Sequence, residues 1–343
     1  MNTKFAWMEQ NTLEGIQVLR AIAAIMVVIQ HAKHSVPGSE GWMSFGGTGV
    51  DIFFVISGYI MAHTTRGVKG GALDAGLFVR KRIARIVPLY WLAILWTARR
   101  NFGDPRLPQD MLFIPHDRAP IVVQGWTLNF EMAFYAIFTL CLLLPRYRLP
   151  ALIIAIAMVP VAGLLIGGDF YANDVVLEFA FGVILFHTLV RFGIPNWSRW
   201  TFLALMALGF GMLALGWDSG PRSLLVGLPA LLIVWASFKG CEGWLAPAMP
   251  QAATVALLAN ASYAIYLFHW ASFGAVKPLG LLIHQSDLLM IAHILMAIVS
   301  GCLIHLLVEK RLTRYANWLF GLGQKKERQS NWSVEQKGAG GRN

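Results

Sequence analysis

The chain is short of charge. Only 13% of its 343 residues are Asp, Glu, Lys or Arg, where a soluble domain carries about 25%. No polar stretch between its apolar runs is long enough to fold as a soluble domain, so a water-soluble globular protein is excluded. Cysteine is scarce too: Cys141, Cys241 and Cys302 lie in or beside apolar runs, which excludes a disulfide framework. A basic leader is missing. Met1–Glu14 is not strongly basic and Ala32-Lys33-His34 is a poor cleavage context, so the first apolar run is expected to stay as a span. Gly46-Gly47-Thr48-Gly49 lacks the Lys and Ser/Thr that would complete a phosphate loop. No repeat recurs at a fixed period.

What the chain has is apolar length. It is 57% hydrophobic with a mean hydropathy of +0.57. Measured against about 20 residues per crossing, ten runs emerge, at 14–34, 47–65, 83–99, 126–145, 149–167, 174–190, 200–217, 223–239, 253–275 and 288–309. The expected fold class is therefore all-α, a polytopic membrane protein with about ten transmembrane helices in the lipid bilayer. The net charge of +10 is a topology signal and not a nucleic-acid footprint. With Arg20 set aside as intramembrane, one set of loops holds 20 Lys and Arg and the other seven. That bias places both termini in the cytoplasm. Three regions follow: a cytoplasmic N-terminus at 1–13, a membrane domain at 14–315, and a basic, disordered cytoplasmic tail at 316–343. The connection from Arg100 to Gly125, rich in proline, reads as an ordered-to-irregular outer loop.

Ionisable groups at membrane depth are expensive and normally face a protein interior or a wet cavity. The first run travels outward, so Arg20 lies in the inner half. His31 lies in the outer half, eleven residues and ~16 Å further along nearly the same helix face. Asp51, Glu131 and His269, from three other helices, fall in the outer half as well, and the four predict a shared polar cavity. A histidine with a carboxylate partner is the usual apparatus of a general base. Ser57 lies nearer mid-membrane, Tyr135 shares the face of Glu131, and Tyr263 and Tyr266 share that of His269. At the inner face Arg82 and Arg85 share a helix side that Arg20 can approach, a pattern suited to phosphate oxygens. No metal site is expected.

Five ordered segments then carry a resemblance. They are Arg20-x10-His31, Gly49-Val-Asp-Ile-Phe-Phe-Val-Ile-Ser-Gly58-Tyr, Arg82-x-x-Arg85-Ile-x-Pro88-x-Tyr90, Trp126-Thr-Leu-Asn-Phe-Glu131-Met-Ala-Phe-Tyr135, and Ser262-Tyr-x-Ile-Tyr-Leu-x-His269. Together they resemble the acyltransferase 3 family of integral-membrane acyltransferases, most closely its ExoZ-like, exopolysaccharide-modifying branch. The resemblance covers roughly residues 13 to 315. It implies a ten-helix domain, here 14–315, in a bacterial inner membrane. It also implies transfer of an acyl group, most simply acetyl, from cytoplasmic acyl-CoA to a hydroxyl of an extracytoplasmic glycan such as exopolysaccharide or lipopolysaccharide. Larger members carry a further periplasmic domain, for which this chain has no room, so it acts alone or with a partner such as a polysaccharide-synthesis complex. Thr127 stands where serine is more usual, which keeps the hydroxyl.

On this reading no cofactor is permanently bound and acyl-CoA is a substrate. Arg20, Arg82, Arg85 and Tyr90 would bind the donor. His31 would act as base or briefly accept the acyl group, with Asp51 or Glu131 orienting it and His269 completing the catalytic set. Ser57, Tyr135, Tyr263 and Tyr266 would serve the acceptor or the oxyanion. The rival from another class is a secondary transporter, exporting a glycan intermediate or a proton-coupled solute. Intramembrane His, Glu and Arg would suit it equally, but no second-half counterpart of Arg20-x10-His31 marks an inverted repeat.

Overall fold

The structure is a computed structural model. It describes residues 3–99, 101–193, 198–215, 220–240, 252–276, 278, 280, 283 and 285–322. Most of the tail expected at 316–343, and Cys241, lie outside the described residues.

Among those residues the fold is all-helical. In chain order it comprises α1 (Thr3–Lys33), α2 (Gly49–Thr64), α3 (Ala72–Ala98), α4 (Leu107–Met111), α5 (Gly125–Leu142), α6 (Arg148–Ile166), α7 (Asp169–Ala172), α8 (Leu177–Phe192), α9 (Arg199–Leu215), α10 (Leu228–Gly240), α11 (Ala252–Val276), α12 (Ser286–Ile304) and α13 (Lys310–Leu319). Short 3-10 turns at Gly46–Thr48 and Asp174–Val176 lead into α2 and α8, and π-helical turns at Ser223–Gly227 and His305–Glu309 precede α10 and α13. Each of the ten apolar runs falls on a helix wherever it is described.

Four stretches, Gly15–Lys33, Arg148–Ile166, Asp174–Phe192 and Ser286–Leu319, are long and apolar enough to cross a membrane by length and composition. The others are shorter, like the 16-residue α2, or carry polar groups, like the arginine-rich first half of α3 and the Asn and Glu of α5. α6 leaves much of its apolar surface uncovered. Only 17% of the α6 crossing stretch is buried, and Leu164, Leu165 and Ile166 stand in the open. Exposed apolar surface of this kind marks a contact with lipid or with another protein.

α1 is the hub. It packs against α2, α10, α11 and α12, and small buried residues, Ala23, Ala24 and Ala32, let those neighbours approach. A second close approach joins α2 to α8, where a Cβ on Gly58 would strike the Phe179 carbonyl and one on Gly182 the Val55 carbonyl. The core beside it is aromatic: Phe134 stacks on Phe179 at 4.3 Å and Phe130 on Phe170 at 4.1 Å. Gly182→Ala should therefore lower stability by about 1–3 kcal/mol through overpacking. Gly211→Ala on α9, where an added Cβ meets nothing, serves as the control. Thermal unfolding of both variants in detergent checks this, and equal midpoints would contradict the close approach.

The connection between α3 and α5, described from Asn101 onward, holds the short helix α4 and is tied together by side chains. Asp110 accepts from Ile121 N at 2.7 Å and pairs with His116 Nε2 at 2.9 Å, while Trp91 Nε1 donates to Met111 O at 2.8 Å. This loop packs over the ends of α3 and α5 and so helps frame the site below.

Candidate active site

A cavity of about 110 Å³ opens between α1, α2, α3, α5 and α11. Arg20, Arg82 and Arg85 line it together with Ser57, Glu131, Tyr135, Tyr263 and Tyr266. Eight of the residues singled out in the sequence thus share one space, although they come from five helices.

Their hydrogen bonds explain why they hold position. Arg20 Nη2 donates to Ser262 Oγ at 2.9 Å, and Ser262 in turn donates to Ala259 O at 2.7 Å. Glu131 Oε1 accepts from Ser57 Oγ at 3.3 Å and from the Tyr135 hydroxyl. The Arg82 guanidinium lies 5.6 Å from the Phe78 ring centre and 5.9 Å from that of Tyr135, an arrangement that holds its plane in place. Its buried Nε has no partner within the protein, so the fork keeps unused donor capacity beside the cavity. Tyr263 donates to Ile86 O at 2.9 Å, two residues before Pro88, where the α3 ladder is interrupted. At the end away from the arginines, the hydroxyls of Tyr266 and Thr127 lie 2.7 Å apart.

His31 and His269 meet just behind that end. His31 Nδ1 is 2.9 Å from His269 Nε2, and the His269 ring centre is 6.3 Å from that of Tyr266. Gln124 Nε2 approaches the same His269 nitrogen at 3.2 Å. Phe53 and Tyr266, in edge contact at 6.3 Å, line the cavity on the side of the histidines.

The single outer cavity expected from His31, Asp51, Glu131 and His269 is not what forms, and three assignments change. Asp51 is not near the imidazole. It is wholly buried and takes both prongs of Arg222, Nε to Oδ1 and Nη2 to Oδ2, each at 2.8 Å. Glu178 and Asp174 lie beside that pair, and Asp174 Oδ2 accepts from Ser223 N and Oγ at 2.9 and 2.6 Å. A bidentate guanidinium satisfies a buried carboxylate better than an imidazole does, and Arg222 reaches it from the Ser223–Gly227 turn. Glu131 stays in the arginine cavity, held by Ser57 and Tyr135, and makes no bond to His31. Tyr90 leaves the donor set: it is buried against Phe113 of the α3–α5 loop, ring centres 4.8 Å apart. Eight residues separate it from Arg82, which carries it about 12 Å along α3.

Sequence reasoning missed Gln124, Arg222 and Glu178. Gln124 and Arg222 sit just outside apolar runs and read as loop residues. Glu178 sat inside one, and its intramembrane carboxylate was a usable signal. Among the described residues no cluster of His, Cys, Asp or Glu has a metal-holding arrangement.

Among the described residues the fold is thus an all-helical bundle, apolar enough in four stretches to cross a membrane, with an arginine-lined internal cavity, a carboxylate within it and a histidine pair behind its far end. The chain belongs to the acyltransferase 3 family: residues 13–309 match the family described as Acyltransferase domain. It is 31% identical to "Exopolysaccharide production protein ExoZ" of Rhizobium meliloti over 82% of this chain and 94% of that one. It is 27% identical to "Putative membrane-bound transacylase BcsY" of Komagataeibacter xylinus over 90% and 85%. A shorter match, 35% over 24% of this chain and 12% of the relative, links it to "Peptidoglycan O-acetyltransferase OatA" of Listeria monocytogenes. No solved structure matches.

Proposed function

We propose that the protein is a membrane-bound O-acyltransferase that moves an acetyl or similar acyl group from cytoplasmic acyl-CoA to a hydroxyl of an exported or envelope glycan. The relatives named for exopolysaccharide production and for O-acetylation support the acceptor class. The observation that carries the donor is the division of the cavity, with guanidinium groups at one end and the histidine pair behind the other. Arg20 and His31 lie ~16 Å apart along α1, comparable with a pantetheine arm.

In this reading the chain crosses a bacterial inner membrane ten times with both termini cytoplasmic, and the arginines face the cytoplasm. Arg82 and Arg85 hold the nucleotide phosphates through charge-assisted bonds. Arg20, tied to Ser262, adds positive potential deeper in. Glu131 keeps the phosphates from advancing, since like charges repel, and leaves the neutral arm to pass beyond it. At the far end His31 removes the proton of the acceptor hydroxyl as its oxygen attacks the thioester carbonyl. The carbon–sulfur bond breaks, and the thiolate of CoA takes the proton back from the imidazolium. The Tyr266 hydroxyl, whose bond to the Gln124 carbonyl is the longer one, is placed to turn its hydrogen toward the developing oxyanion, with Thr127 holding it in position.

Titration calorimetry of acetyl-CoA and desulfo-CoA into the purified protein tests the donor. Arg82→Ala removes a charge-assisted contact of about 1.5–3 kcal/mol, so Kd should rise by one to two orders of magnitude. Absence of binding to well-folded wild type would remove the donor and favour the transporter reading. Labelled acetyl-CoA with candidate polysaccharides then identifies the acceptor.

A further inference from the structure

Two histidines bonded to each other leave open which nitrogen carries each proton, and here the surroundings answer it. His269 is fully buried, and its Nδ1 lies 2.8 Å from Tyr266 O and 3.3 Å from Ile265 O. Carbonyl oxygens only accept, so Nδ1 bears the hydrogen. In the neutral ring Nε2 is then a lone pair. Two groups face that lone pair, Gln124 Nε2 at 3.2 Å and His31 Nδ1 at 2.9 Å, and both must donate. The neutral His31 ring consequently carries its hydrogen on Nδ1, with the Val27 carbonyl of its own helix as a further acceptor for the ring, and Nε2 is left as the lone pair.

The ring geometry agrees. The centres are 4.9 Å apart and the planes differ by 19°. The rings are thus nearly parallel and meet through the two nitrogens 2.9 Å apart. Among the described residues no carboxylate bonds to either ring, since Asp51 is taken by Arg222 and Glu131 by Ser57 and Tyr135. The acceptor is also anchored. The Gln124 carbonyl takes hydrogen bonds from Thr127 Oγ1 at 2.9 Å and Tyr266 OH at 3.3 Å, tying α11 to the start of α5 beside the cavity.

We propose that His269, backed by Gln124, is the positioning residue of the reaction: it locks His31 in the Nδ1–H tautomer and so makes His31 Nε2 the base. This rests on the reading of His31 given above. When Nε2 takes the acceptor proton, the imidazolium keeps its Nδ1–H bond to His269 Nε2. His269 receives no proton and the same Nε2 proton passes on to the thiolate. The neutral lone pair does the orienting work usually done by a carboxylate, without a second buried negative charge.

The test uses the full chain in nanodiscs, as wild type, His269→Gln, His269→Phe and Gln124→Leu. Nitrogen-15 spectra of histidine-labelled protein, with His31 assigned by its loss in His31→Gln, should show a protonated Nδ1 and an unprotonated Nε2 in wild type. His269→Phe fills the space without an acceptor and should let the His31 tautomers mix. Its kcat should fall about 10²-fold or more while the acetyl-CoA Kd stays put. His269→Gln, whose amide oxygen can accept from Nδ1, should recover most of kcat. Gln124→Leu should give a smaller loss of kcat, again without a change in Kd. A wild-type His31 protonated on Nε2, or an undiminished kcat in His269→Phe, would overturn the proposal. The spectra do not depend on turnover: a correct tautomer in wild type together with full activity in His31→Ala would instead refute His31 as base.

Discussion

His31→Ala is expected to lower turnover by about 10²–10⁴-fold, the usual contribution of a positioned general base, while leaving acyl-CoA affinity and folding unchanged. The side chain sits in the last turn of α1 and is not fully buried, so its removal leaves no large void. The arginines that would hold the donor are on the far side of Tyr266. The variant should bind acetyl-CoA with the wild-type Kd in calorimetry and release no CoA in the presence of acceptor. Full glycan acetylation by it, in cells lacking a paralogue, would sink the assignment.

The largest effect on stability is expected at Arg222. Asp51 and Glu178 are both 0% exposed, and Glu178 lies directly against Asp51. Arg222 is the cation placed among them, bonded to Asp51 and close to Glu178 and Asp174. Arg222→Ala therefore strands buried acids against one another and should cost about 3–5 kcal/mol. Asp51→Asn should cost less, because the guanidinium then remains beside Glu178 and Asp174. Thermal unfolding in detergent would show the asymmetry, and Asp51→Leu combined with Arg222→Met should recover part of the loss. If Arg222→Ala unfolds at the wild-type temperature, the cluster is not the structural clamp described here. A folded Asp51→Asn should also retain transfer activity, which separates this pair from the histidines.

Much of the helical order was legible because the requirement behind it is local. A run of about 20 apolar residues can satisfy its backbone in lipid only by helix formation, so α1, α6, α8 and α12 follow from composition. The spacing Arg20-x10-His31 also translates directly into a face and a distance along α1. The arginine site was readable for the same reason: Arg82 and Arg85 are neighbours on one helix, and Arg20 sits at their level. Partnership was not. Asp51, Glu131 and His269 fall at similar depth, and depth alone suggested that they meet at His31. Depth says nothing about rotation around the bundle, and rotation sends Asp51 toward Arg222, Glu131 toward Ser57 and His269 toward His31. Tyr90 shows the limit within one helix, since a motif shared with Arg82 does not bring residues two turns apart into one space.

By itself the sequence determined the helical class, the apolar runs, the arginine pair of α3 and the family, all of which depend on composition and short-range spacing. The tertiary structure decided which buried polar group answers which. A buried donor or acceptor takes the nearest complementary partner that packing supplies. Close packing around the small faces of α1 and the glycine contact of α2 with α8 set those neighbours. That is why His31 bonds to a second histidine, bonded in turn to backbone carbonyls of its own helix, and not to any of the carboxylates.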